Sequence, residues 1–257
     1  MRPLLILSSV SIVLIIIAAL LLVNRAHRDK EAAMPGVLSI AMSADYPPFS
    51  FLDATQTPTG FDIDVIKEVA KKLNKEFVLH DMPFELLLSK VNNGDYAIAV
   101  GGITPTKQRS QKVLFSNPYY QHDTLVILMP AQSSKITTIK DLAGKRVATV
   151  VGSTAAEYLK NIADIVVVIV PSIQDSILTL KAGDSDAAIV TAQTVKPLIA
   201  QYGAANFALF PLDLVEESYV IAIDPAHKIL QREINSVLKE LVESGVINTL
   251  KLKWGLE

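Results

Sequence analysis

SKVNNGDYAIAV at residues 89–100 and TLKAGDSDAAIV at residues 179–190 follow one plan: the end of an amphipathic helix, a Gly-Asp turn, and an apolar strand that begins Asp-x-Ala-Ile. Asp95 and Asp186 lie in register, 91 residues apart. Two similar lobes are the simplest source of such a repeat. Outward from the first copy, VLSIAM (37–42), IDVIKEVAKKL (63–73), EFVLH (76–80) and FELLLSKV (84–91) alternate short apolar runs with helical patterns. Outward from the second, KRVATVV (145–151), STAAEYLKNI (153–162), IVVVIV (165–170) and TAQTVKPLIAQY (191–202) do the same. This alternation predicts an α/β fold, with largely parallel sheets and covering helices. In residues 63–73 the apolar Ile63, Val65, Ile66, Val69, Ala70 and Leu73 fall at helical spacing, and Lys67, Glu68, Lys71 and Lys72 take the wet side. Asp62 and Asp64 open that helix, where acids complement its dipole.

The chain crosses between lobes twice, near Gln121 to Pro130 and within ALFPLDLVEESYVIAI (208–223), and two amphipathic helices close it. The predicted organisation is a signal or anchor with linker over 1–33, a discontinuous first lobe of 36–122 plus 216–257, and an inserted second lobe of 123–215. Two crossovers form a hinge, and clefts between hinged lobes are preferred places for small ligands.

Leu4 to Val23 carries no charge and is flanked by Arg2 on one side and Arg25, Arg28 and Lys30 on the other. An apolar helix of that length spans a bilayer. Asn24-Arg25-Ala26 and Glu31-Ala32-Ala33 both put polar residues where a small-x-small cleavage pattern needs small ones, so an uncleaved membrane anchor is favoured over a cleaved signal. The absence of cysteine excludes disulfides, thiol nucleophiles, Cys-ligated zinc and a lipidated cysteine. Residues 1–33 hold 4 of the 24 Lys and Arg and 2 of the 26 Asp and Glu, which leaves 20 against 24 and a net charge of −4. Such a balance offers no footprint for nucleic acid, whose binding needs a concentrated basic face.

The strongest chemical signal is AIAVGGITPTKQRSQKVLFSNPYY (97–120), where an apolar strand runs into Gly101-Gly102, then Thr104-Pro105-Thr106, then Arg109. Glycines let backbone amides approach a ligand, hydroxyls add donors, and the planar guanidinium matches the two oxygens of a carboxylate. The competing reading puts Arg109 on the surface of a short helix over 107–111 capped by Thr106. Gly152-Ser153-Thr154 forms the facing half, and Thr154-Ala155-Ala156-Glu157 also reads as a capping box. A helix start presents free amides to an anion, so both readings of that segment are compatible.

Five segments in order then point to a family: Asp45-Tyr46-Pro47-Pro48-Phe49, Gly60-Phe61-Asp62-Ile63-Asp64-Val65, Gly101 to Arg109, Ser116-Asn117-Pro118-Tyr119-Tyr120, and Leu142-Ala143-Gly144-Lys145-Arg146-Val147. From about residue 36 to Gly255 the chain resembles the family 3 bacterial extracellular solute-binding proteins, the polar amino-acid receptors of ABC importers. The resemblance implies a type II periplasmic-binding-protein fold behind an N-terminal apolar helix. It also implies a monomer in the periplasm or on the extracytoplasmic face of the inner membrane. Such a monomer captures a small polar amino acid or related carboxylate and delivers it to the permease transmembrane subunits of the importer, without cofactor or metal. By the same resemblance, Gly101, Gly102, Thr104 and Arg109 hold the ligand's carboxylate end from lobe one, and Val150, Ser153 and Thr154 meet it from lobe two. Tyr46 and Phe84 sandwich the ligand side chain, and Phe49 reads as core.

Two departures from the family pattern stand out. The lobe-two aspartate that holds the α-ammonium is Thr191 here, and the acid three residues before Tyr46 is Ser43. Three explanations are open. Thr191, Ser43, Gln193 and the Gly102 carbonyl could bind an ammonium by dipoles alone; an acid near the second crossover, Glu216 or Glu217, could replace the lost one; or the ligand is not an α-amino acid. Glu216 and Glu217 read first as solvated surface carboxylates. An unpaired cation in a closed cleft is costly, so the departures favour a neutral polar amino acid such as glutamine over a basic one. Competing function classes are an enzyme like the cyclohexadienyl dehydratases of the same fold, or a membrane-tethered ligand sensor. His27, His80, His122 and His227 are scattered, and neither HExxH nor a nucleophile elbow occurs, so the reading is a receptor and not an enzyme.

Overall fold

The structure, a computed structural model, describes residues 37–133 and 136–256. The apolar run of the predicted anchor lies outside the described residues, and no described helix is long and apolar enough to cross a membrane. In chain order the first elements are β1 (Val37–Met42), β2 (Asp45–Tyr46), β3 (Ser50–Leu52), β4 (Pro58–Thr59), α1 (Phe61–Lys72), β5 (Glu76–Asp81), α2 (Phe84–Asn92), β6 (Ile98–Val100), β7 (Leu114–Phe115) and β8 (Tyr120–Pro130). There follow β9 (Arg146–Val150), α3 (Thr154–Leu159), β10 (Val166–Val170), α4 (Ile173–Ala182), β11 (Ala187–Thr191), α5 (Ala192–Gln201), β12 (Phe207–Tyr219), β13 (Ala222–Ile223), α6 (Lys228–Glu243) and α7 (Val246–Lys253).

These strands build two five-stranded sheets, β5-β1-β6-β13-β7 and β10-β9-β11-β8-β12, and a small sheet β2-β3-β4. Each large sheet starts with three parallel strands and continues with an antiparallel one. The sequence repeat is therefore structural: β6 and β11 both hold the third place, and both are buried along their length. Parallel strands covered on two faces read as continuous apolar runs, which is how IAV and AAIV look in the sequence. Each is entered from a helix through a left-handed glycine, Gly94 at φ 75° and Gly183 at φ 76°.

The first sheet's core takes Ile63, Ile66 and Val69 from α1 and Leu230, Ile234 and Leu238 from α6, so the C-terminal helices return to the side where the chain began. The second sheet packs Ile177 and Leu180 of α4 and Val195 and Leu198 of α5 beside Val126 and Leu128 of β8. β8 and β12 run antiparallel from Pro130↔Phe207 to Tyr120↔Tyr219, and Tyr120 and Tyr219 are buried in the first core. The two crossings thus lie side by side. The register breaks between Pro211 and Glu216 and again between Glu217 and Tyr219, and such irregularities re-aim side chains.

Candidate functional site

Between the two sheets, beside the paired crossings, lies a cleft of ≈ 570 Å³ of empty space. Tyr46, Phe84, Gly102, Thr104 and Arg109 line it from the first-sheet side, and Val150, Ser153, Thr154 and Thr191 from the second. Two residues expected at the site stand behind it instead. Ser43 is buried and donates its hydroxyl to Asp45 Oδ1 at 2.6 Å, because the carboxylate beside it is the nearest acceptor. Gly101 is buried too, and its amide is taken by a carboxylate from α1.

That carboxylate is Asp62, whose Oδ2 accepts from the amides of Gly101 at 3.1 Å and Gly102 at 2.9 Å. Burial pushes Asp62 up to about 6, against the downward pull of those amides. Asp62 therefore serves the glycine loop as well as the helix start. Gly102 sits at φ 63°, with the ring of Tyr46 against its Cα.

Arg109 is buried and opens a three-residue 3-10 turn, Arg109–Gln111, in place of the short helix that was the alternative reading. The residue before that turn is Gln108, which makes no side-chain capping bond, while Thr106 Oγ1 accepts from the Arg109 amide at 3.2 Å. Nη1 donates to the Thr104 carbonyl at 2.7 Å and Nη2 to the Gly152 carbonyl at 2.8 Å, while Nε lies 3.7 Å from Glu157 Oε1. One guanidinium thus joins both sides of the cleft, and its carbon lies 5.9 Å from the Phe84 ring centre. Burial pushes the guanidinium pKa down, and the charges of Glu157 and Glu217 push it back up. The helix facing it starts one residue earlier than the sequence pattern suggests: Ser153, not Thr154, is the cap of α3, accepting from Ala156 N at 3.1 Å. Thr154 is left free for the cleft.

Thr154 donates to Glu217 Oε1 at 2.6 Å, and Thr104 donates to Glu217 Oε2. This corrects the reading of Glu216-Glu217 as two solvated acids. Glu216 is exposed beside His122 at 3.1 Å, whereas Glu217 is 2% exposed and lines the cleft. Its carboxylate bridges one hydroxyl from each side, where a ligand carboxylate was expected. Asp45 also lines the cleft; burial raises its pKa, Ser43 lowers it, and Asp81 and Glu85 raise it further. Leu125, Ile173 and Ile189 supply apolar wall. Tyr46 closes the far end, its phenol oxygen 2.7 Å from Thr191 Oγ1, and Phe49 stacks behind it as core.

The sequence offers Glu217 only as one of two candidate acids with Glu216, and it assigns no role at the site to Asp45 or Asp62. Asp62 had a visible signal, an acid among the apolar positions of α1. Asp45 opens the segment Asp45-Tyr46-Pro47-Pro48-Phe49, in which the aromatic and proline residues carry the readable signal. The sequence points to the doublet but not to the member that turns inward, because that depends on a break in strand register.

A two-sided cleft at a double crossing, with an arginine bonded across it, is the arrangement of a ligand-capturing receptor. The sequence pattern of the bacterial extracellular solute-binding proteins, family 3, matches residues 38–257. The chain belongs to this family. Among family relatives, the ABC transporter arginine-binding protein 1 of Escherichia coli K12 is 27% identical over 221 residues, covering 84% of this chain and 90% of that one. The arginine-binding extracellular protein ArtP of Bacillus subtilis 168 is 28% identical over 227 residues, covering 84% and 85%. The solved structure of an ancestral arginine-binding protein bound to glutamine superposes with a TM-score of 0.82 at 28% identity, covering 87% of this chain and all of the other. This family member is an extracytoplasmic solute-binding protein with the two-lobe fold.

Proposed function

We propose that this protein captures an α-amino acid with a basic side chain and delivers it to the transmembrane subunits of an ABC importer. The observation that carries this is the placement of Glu217 and Asp45 in the same cleft as Arg109. The charged lining is then one cation against two anions, a net of −1. A basic amino acid brings two cations and one anion, so the closed complex is neutral. A neutral amino acid such as glutamine leaves one buried carboxylate unbalanced, which is costly in a low-dielectric cleft. Glu217 and Asp45 stand in for the acids lost at Thr191 and Ser43, and the preference for a neutral ligand drawn from those two positions is thereby reversed. The names of the relatives support the same class.

In this proposal the ligand carboxylate meets Arg109, Thr104 and Thr154, with Gly102, Val150 and Ser153 shaping the space around it. Glu217 gives up one hydroxyl partner and faces the ammonium. Tyr46 and Phe84 flank the side chain, whose cation lies toward Asp45. The lobes are 36–122 plus 216–257 and 123–215, closing about the crossings, and ligand shifts the population toward the closed form. Residues 1–33 hold the receptor at the membrane. Isothermal titration with L-arginine, L-lysine and L-glutamine tests the ligand class: the basic amino acids are expected to bind at least about 10-fold tighter, and Glu217→Gln to weaken all three by about 10- to 100-fold, as for loss of a charged hydrogen bond. Tighter binding of glutamine, or an indifferent Glu217→Gln, would refute it.

A further inference from the structure

Thr191 is the N-cap of helix α5, a residue type whose hydroxyl usually accepts from an amide in the first turn of the helix it caps. Thr191 makes no such bond. The cap comes from the crossing strand β8: Asp123 Oδ1 accepts from Gln193 N at 3.3 Å and from its neighbour Thr124 N at 2.9 Å. The Thr191 hydroxyl is thereby released, and it lies 2.7 Å from the phenol oxygen of Tyr46. Tyr46 is 2.8 Å from the phenol of Tyr219, and Tyr219 donates to Asp123 Oδ2 at 2.6 Å.

Each hydroxyl has one proton, so the direction of this row is fixed from its charged end. Tyr219 donates to Asp123 and must accept from Tyr46. Tyr46 donates to Tyr219 and must accept from Thr191. The Thr191 proton is then committed, and only its lone pairs remain for the cleft that it lines. We propose that Asp123, through Tyr219 and Tyr46, makes Thr191 an acceptor-only group that receives the α-ammonium of the ligand. The inference deepens the receptor reading and rests on it. Asp123 is 1% exposed and Tyr219 0% exposed, so bulk water does not rearrange the row. Burial raises the Asp123 pKa, the hydrogen bonds from Tyr219, Gln193 and Thr124 and the positive end of α5 pull it back toward the ionised form, and successive hydrogen bonds polarise one another. Tyr46 comes from the first-sheet side and Thr191 from the second, so the last link forms only across the cleft. Asp123 and Tyr219 are positioning residues; Thr191 is the group that meets ligand.

Titration calorimetry with two probes tests this: L-arginine, and L-argininic acid, in which a hydroxyl replaces the α-ammonium. Tyr219→Phe frees Tyr46 to donate to Thr191, which turns the Thr191 proton toward the cleft. It is expected to weaken L-arginine by about 10- to 100-fold and L-argininic acid by less than about 3-fold. Thr191→Val should do the same, and Thr191→Ser should restore L-arginine binding. If Tyr219→Phe fails to fold, Asp123→Asn, whose amide can donate to Tyr219 and so reverse the row, carries the same expectation. Equal losses for the two probes, or no rescue by serine, would overturn the relay while leaving the receptor reading intact. A wild-type protein that binds neither L-arginine, L-lysine, L-histidine nor L-glutamine would overturn the reading and the relay together.

Discussion

An alanine at Gly102 would place its methyl carbon 2.2 Å from Cε1 of Tyr46, 2.7 Å from Cδ1 and 3.0 Å from Cζ. Carbon atoms rest about 3.5–4.0 Å apart, so the ring would have to retreat by more than about 1 Å. It is held on two sides, by bonds of its hydroxyl to Thr191 and Tyr219 at 2.7 and 2.8 Å and by stacking on Phe49 at 5.5 Å between centroids. Overpacking of this kind costs about 1–3 kcal/mol. The left-handed backbone at φ 63° adds about 1 kcal/mol for any residue with a Cβ. The expected loss for Gly102→Ala is therefore about 2–4 kcal/mol. Gly144 supplies the control, since it sits at φ 71° with nothing within 4 Å of a built Cβ, and its alanine should show only the backbone contribution of about 1 kcal/mol. Urea unfolding of both variants, with the slopes compared to confirm a common transition, measures the difference directly. L-arginine affinity should fall in Gly102→Ala and hold in Gly144→Ala. Equal destabilisation by the two alanines would refute the packing of Tyr46 on Gly102 and with it the placement of the aromatic wall.

Arg109→Ala should abolish amino-acid binding in calorimetry and leave a folded protein by circular dichroism; retained affinity would exclude the clamp. For Asp62 the folded value of about 6 lies above the ordinary 3.8, so its stabilising share is present below pH 4 and lost as pH rises through 6. That shift corresponds to about 3 kcal/mol, so Asp62→Asn should gain about that much on wild type between pH 4 and 7 in urea midpoints, and a constant difference would be decisive against it. Arg146 pairs with Asp186 at 2.8 Å on the surface, so Arg146→Ala should cost no more than about 1 kcal/mol of thermal stability. A chain starting at residue 34 should remain in the supernatant after ultracentrifugation while the full chain pellets with membranes; both in the supernatant would refute the anchor.

The repeat around Gly94 and Gly183 made the two-sheet plan readable because a turn glycine followed by a fully buried strand leaves the same trace in each copy. Arg109 was readable for a related reason: its glycines and hydroxyls are local in sequence, so their chemistry appears as one motif. Glu217 and Asp123 belong to the other kind of information. Their roles depend on how β8 aligns with β12 and with β11, and no local pattern states that Asp123 caps the helix that follows Thr191. Ser43 shows the converse failure. Its position was read as facing the cleft, but a carboxylate two residues away takes its hydroxyl and lines the cleft in its place.

The register break ahead of Glu216 leaves two neighbouring glutamates on opposite faces of β12, one toward solvent and one toward the cleft. Strand side chains alternate, so an insertion of one residue upstream would exchange the faces of the two. Because both positions carry the same carboxylate, that slip would turn Glu216 inward and preserve the charge beside Arg109. The doublet thus gives the cleft a built-in tolerance to a one-residue lengthening of the second crossing, with the electrostatic character of the site held fixed.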